Sequence, residues 1–114
     1  MNQDLSGKTA LITGATRGLS AAIAHTLAEQ GAKVIGTATS STGADSISQA
    51  LAEFGGEGRV LDIGEEGSIE NLIADIEKEH GALAILVNNA GITRDNLLMR
   101  MKDSEWDDIM HINL

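Results

Sequence analysis

The sequence alternates between two hydrophobic periods, and this alternation limits its fold more than any other feature. Short apolar, β-prone runs occur at Ala10–Ile12, Lys33–Thr37, Arg59–Ile63 and Leu83–Val87. Each is followed after a few residues by apolar positions at helical spacing. The first helical stretch, Leu19–Ala28, carries Ala21, Ala22, Ile23, Ala24, Leu27 and Ala28, and Gln30-Gly31 closes it. Ile47, Ala50, Leu51 and Phe54 mark a second over 44–54, and Ile69, Leu72, Ile73 and Ile76 a third over 68–79. A fourth is expected to start at Asp103 or Ser104 as its N-cap and to run out through Met110–Leu114. Strands alternating with helices over short connections require right-handed crossovers and a parallel sheet. The expectation is an α/β fold with a doubly wound parallel sheet, strand order 3-2-1-4, Rossmann-like in form.

In that order the first and fourth strands are neighbours whose connections leave in opposite directions. A crevice therefore opens at their carboxyl ends, and the loop at Gly14 should face the loop at Asn88-Asn89-Ala90-Gly91. The fourth run is continuously apolar, as in a strand covered on both faces, yet it would lie at an open edge. It expects a fifth strand beside it. Together with a last helix that lacks a cap, this predicts that residues 1–114 are the N-terminal part of a single dinucleotide-binding domain whose second half is missing.

The stretch TALITGATRGLS, Thr9–Ser20, places the chemistry. An apolar strand stops at Gly14, a glycine-bearing turn follows, and a helix starts at once. Glycine permits positive φ and carries no Cβ to hold a ligand off the backbone, while a helix opening directs N–H groups and a positive dipole end at an anion. The spacing Gly14-x-x-x-Gly18-x-Ser20 is neither Gly-x-Gly-x-x-Gly nor a P-loop. Taken alone it also describes an ordinary βα turn.

Composition narrows the partners. The 114 residues carry a formal charge of −9, which repels nucleic acid and anionic membrane alike. No apolar run reaches the roughly 20 residues of a membrane span, and Met1-Asn2-Gln3-Asp4 is unlike a signal peptide, so the cytoplasm is the expected location. Cysteine is absent, which removes disulfides and thiolate chemistry. Tyrosine is absent too, so a phenol cannot act as general acid within these residues. His25, His80 and His111 are too scattered along the chain for a metal site, and none is expected.

Thr13-Gly14-Ala15-Thr16-Arg17-Gly18, Asn88-Asn89-Ala90-Gly91 and the closing Asn113-Leu114 resemble the short-chain dehydrogenase/reductase family. Within it, VIGTATS at 34–40 and ILVNNAGITRDNLLMRMK at 85–102 are similar to the bacterial branch that reduces 3-oxoacyl groups on acyl carrier protein during fatty acid synthesis. The resemblance implies NADP(H) as cofactor, an acyl-carrier-protein-bound substrate and a homotetramer. It places Gly14, Ala15, Thr16 and Arg17 along the adenosine and phosphate part of the cofactor, with Gly18 and Leu19 beneath the pyrophosphate and nicotinamide. Asp62 and Ile63 would border the adenine, although a strand-end Asp also caps turns. Asn89, Ala90 and Gly91 would line the floor under the ribose. Asn113 matches the asparagine that holds a water in the proton relay. The family's catalytic Ser, Tyr and Lys fall beyond residue 114.

Local charge bears on the cofactor independently. An NAD binder places an acid near the end of the second strand, but no Asp or Glu occurs from Gln30 to Ala44. Thr37, Thr39 and Ser40 stand there instead, with Arg17 nearby in the expected fold. Hydroxyls and a guanidinium suit a 2′-phosphate; a solvated loop is the alternative for Arg17. Two departures from the family pattern bear on cofactor affinity: Ser20 in place of its third glycine, where a side chain could crowd the cofactor or the helix or else bond a phosphate, and Ala84 in place of an Asp.

Overall fold

A computed structural model describes residues 5–15, 18–62, 68–88 and 110–113. Strands β1 (Thr9–Ile12), β2 (Lys33–Ala38), β3 (Glu57–Val60), β4 (Leu83–Asn88) and β5 (Met110–Asn113) form one sheet in the order β3-β2-β1-β4-β5. Every pairing is parallel. The helices between them are α1 (Gly18–Glu29), α2 (Ser41–Leu51) and α3 (Ser68–His80), with a 3-10 turn at Ala52–Phe54 after α2. The 3-2-1-4 order is therefore present, with a fifth strand added.

That fifth strand corrects the reading of the C-terminal residues. Met110–Asn113 pair with Ile85–Asn88 as a strand and do not end a helix. The physical reason lies in β4, an apolar strand whose backbone N–H and C=O groups would be left unpaired at a sheet edge without a hydrogen-bonded neighbour. Four residues are also too few for periodicity to separate strand from helix. The helix start expected at Asp103 or Ser104 lies outside the described residues.

Alternation along the strands divides the core into two layers. One side buries Leu11, Ile35, Leu83 and Leu86 against Leu72, Ile73 and Ile76 of α3. The other buries Ala10, Ile12, Val34, Ile85 and Val87 against Ala24 and Ala28 of α1 and Ile47 and Leu51 of α2. Helices thus cover both faces, as double winding requires. The pairing of β1 with β4 slips between Thr9 and Ala10, which face Leu83 and Ile85, so Ala84 is the extra residue of a bulge.

The ends of the elements follow from particular residues. Ser40 caps α2 by accepting from the Gly43 amide at 3.1 Å. Gly31, Gly55 and Gly81 all have positive φ just beyond helical segments, a conformation with little penalty only for glycine.

At the β3 edge, Arg59 donates to Glu57 at 2.8 Å and also to Glu79 of α3, while His80 lies 3.2 Å from Glu57. The Glu57 carboxyl is held below its ordinary value chiefly by the Arg59 hydrogen bond, against a partial desolvation penalty, with His80 helping. A depressed carboxyl stabilises the fold above its unfolded pKa, and that contribution is lost as pH falls. Melting of Glu57→Gln is therefore expected to be less acid-sensitive than that of the parent between about pH 6 and about pH 3, by under ~1 kcal/mol. Parallel melting-versus-pH curves for the two proteins would contradict the assignment.

Candidate functional site

The turn after β1 is built by hydrogen bonds to both neighbouring strands. On the β4 side, the Thr13 amide donates to the Val87 carbonyl at 3.0 Å, and its hydroxyl approaches the same oxygen at 3.4 Å. On the β2 side, the Gly14 amide donates to Thr37 Oγ1 at 3.2 Å and the Ala15 amide to the Thr37 carbonyl at 2.9 Å. Gly14 has φ +68°, which a side chain would resist. The amides of Thr13, Gly14 and Ala15 are thus engaged within the fold. Gly14 and Ala15 shape the turn, and the next N–H groups along the chain among the described residues are those at the opening of α1.

That opening has the properties of an anion cradle. Gly18 begins α1, and a Cβ built there would meet none of the described residues within 4 Å. No acidic side chain occupies the first turn to oppose the positive end of the helix. Leu19 is 63% exposed beside it. Ser20 is fully buried and engaged, so its side chain fills space within the fold. The arrangement fits a dinucleotide diphosphate.

The carboxyl edge gathers several of the other predicted residues. Thr39 is exposed directly after β2 and Asp62 is exposed two residues after β3. The Asp62 carbonyl accepts from the Ser68 hydroxyl at 2.6 Å, joining this edge to the start of α3. Asn113 pairs opposite Asn88 at the carboxyl ends of β5 and β4, so its backbone lies on the same edge as Gly14. Thr16, Arg17, Ile63, Asn89, Ala90 and Gly91 lie outside the described residues.

Two of the three hydroxyls assigned to a ribose phosphate have other duties. The Thr37 oxygen receives the Gly14 amide and the Ser40 oxygen receives the Gly43 amide, which leaves Thr39, exposed as Ser40 is, as the hydroxyl not engaged among the described residues. Sequence reasoning missed Thr37 as a support of the turn. Its signal was a hydroxyl at a core position near the end of the apolar run VIGTA. Ala84 sits near the amino end of β4, roughly 13 Å along the strand from Asn88. It packs against the core layer under α1 and α2, away from the cradle.

Two other features do not suit a nucleotide. A groove of about 350 Å³ between α1 and α2 is lined by Ala15, Ala21, Ala24, Ile47, Ala50 and Leu51, with His25 and Ser46. It presents mostly apolar surface, with no Lys or Arg among the described residues that line it. Glu57, Glu79 and His80 bring ligand atoms within 4.8 Å of one another, but the Arg59 guanidinium already holds both carboxylates. A metal ion would have to displace that charge.

Residues 8–114 match the short chain dehydrogenase family. The chain is 58% identical to 3-oxoacyl-[acyl-carrier-protein] reductase FabG of Escherichia coli K12 over 111 residues, 97% of this chain and 45% of that protein. Identity is 59% over 111 residues to the protein of the same name from Vibrio harveyi and 52% over 112 residues to that from Pseudomonas aeruginosa, covering 97% and 96% of this chain and 45% of each relative. The chain thus spans a little under half the length of the curated relatives it matches. With its sheet order, its glycine turn and this similarity, the chain belongs to the short-chain dehydrogenase family.

Proposed function

We propose that this chain supplies the cofactor-holding part of an NADPH-dependent reductase that converts 3-oxoacyl-[acyl-carrier-protein] to the 3-hydroxyacyl form. The observation that carries the reading is the α1 opening at the carboxyl edge, with open space over Gly18 and no acid in the first turn. The names of the relatives supply the substrate. When bound, NADPH provides a hydride for the β-keto carbon.

Each residue then has a defined task. The amides of Gly18 and Leu19, both exposed, receive the diphosphate. Gly14 and Ala15 hold the turn that brings Thr16 and Arg17 to the adenosine side. Thr39 and Arg17 take the 2′-phosphate, Asp62 and Ile63 border the adenine, and Asn89, Ala90 and Gly91 form the floor under the ribose. Asn113 holds a water on the proton path. The proton donor itself is not among these residues, which include no tyrosine. The reductase is a cytoplasmic homotetramer on this reading.

Arg17→Ala is expected to weaken NADPH by roughly 10- to 100-fold, the equivalent of a charge-assisted contact, while changing NADH little. Equal losses for both nucleotides in a fluorescence titration would remove Arg17 from the 2′-phosphate site. The second reading is a nucleotide-binding module without turnover. Oxidation of NADPH dependent on an acetoacetyl thioester separates the two: the reductase reading requires it of the protein containing this chain, and nucleotide binding without oxidation supports the module.

A further inference from the structure

We infer that Thr37 is a positioning residue for nucleotide binding, acting through the glycine turn that it clamps. The inference rests on the nucleotide reading above and adds a residue to it. Thr37 is 2% exposed in β2 and so does not touch the ligand. Its side-chain oxygen and its carbonyl accept from two consecutive amides, those of Gly14 and Ala15. The first of these belongs to the residue with φ +68°.

Fixing the Gly14 amide fixes where the left-handed residue points the chain, and hence where residues 16 and 17 and the start of α1 arrive. Thr13 ties the other flank to Val87. Of the side-chain clamps on the turn, Thr37 Oγ1 is the one that holds the residue of positive φ. Valine at 37 keeps shape and volume but withdraws the acceptor, leaving a half-buried N–H without its partner. Serine restores the oxygen.

The buried strand threonine at the other end of the sheet supplies a control. Thr9 is 3% exposed and its hydroxyl donates to the His80 carbonyl at 3.4 Å, far from the carboxyl edge. Thr9→Val also removes a buried hydroxyl from the strand array and should leave nucleotide affinity as it was.

The test is NADPH titration of the full chain and of Thr37→Val, Thr37→Ser and Thr9→Val, with amide hydrogen exchange of Gly14 measured on the same samples. Thr37→Val should weaken NADPH roughly fivefold to tenfold and speed Gly14 exchange. Thr37→Ser should return both toward the parent, and Thr9→Val should change neither. Equal NADPH affinity in the parent and in Thr37→Val overturns the inference while the nucleotide reading stands. An affinity loss that is as large in Thr9→Val, or that serine does not rescue, overturns it as well by making the effect one of general stability. A parent chain that takes no NADPH removes the nucleotide reading, and this inference with it.

Discussion

Gly58→Ala is expected to destabilise the fold more than any other single methyl addition considered for the β3 edge. A Cβ at position 58 would collide with the backbone carbonyl of Ala44 and lie 2.8 Å from the Ile47 Cβ. Both atoms belong to α2, which rests directly on β3 because Gly58 has no side chain. The Gly58 amide also donates to Ser48 Oγ at 2.8 Å, a bond that holds strand and helix at this close distance. A backbone atom cannot rotate away as a side chain can, so α2 must lift. That would open the layer in which Ile47 and Leu51 are buried.

Overpacking of this kind costs about 2–3 kcal/mol, and for a domain of this size that lowers the melting midpoint by roughly 10–20 °C. Gly36→Ala is the comparison. Its Cβ would meet the Ala15 Cβ at 2.7 Å, which moves only with its backbone, and Ile47 Cγ2 at 2.9 Å, which can turn about χ1, so its loss should be smaller than that of a clash with a helix carbonyl. A Gly58→Ala midpoint equal to that of the parent would mean that α2 does not sit on β3 as described.

Gly18→Ala is expected to have the opposite profile, with stability retained and binding lost. A Cβ at Gly18 meets none of the described residues within 4 Å, and alanine is the better helix residue by up to ~1 kcal/mol. The space it would fill lies over the α1 opening, where a diphosphate must come within hydrogen-bonding distance of the amides. NADPH affinity should fall by tenfold or more, or about 1.4 kcal/mol, without a drop in melting midpoint. If both properties are unchanged, the ligand does not approach the first turn of α1. A glycine that matters to the fold and one that matters to the ligand are thus separated by what stands opposite each.

Much of this architecture was legible in the sequence because local pattern and burial agree. Leu72, Ile73 and Ile76 recur at helical spacing and form the α3 side of one core layer. Leu11 and Ile12 point to opposite layers as strand neighbours must. The apolar run of β4 required covering on both faces and a strand beside it, and both requirements are met in the sheet. The identity of that neighbour was not legible. Met110–Asn113 has no strong strand pattern of its own and pairs in register with Ile85–Asn88.

The candidate site was legible in part, for a similar reason. Glycine spacing marks a turn, but it does not say which amides remain for a ligand. Thr13, Gly14 and Ala15 donate to Val87 and Thr37, partners 74 and 23 positions away for the two side-chain bonds. Such bonds appear only once the strands are side by side. Ala84 shows the same limit: its place in the sequence pattern pointed to the cofactor, but its place in the sheet is near the amino end, at a bulge.

The central claim is that the amides opening α1 receive the diphosphate of NADP(H), and a backbone-amide NMR titration of this chain with NADP+ tests it most directly. The account predicts the largest shifts at Gly18 and Leu19, accompanied by Thr39. Shifts confined to His25, Ser46 and Ala50 in the groove between α1 and α2, or none at saturating nucleotide, would contradict it.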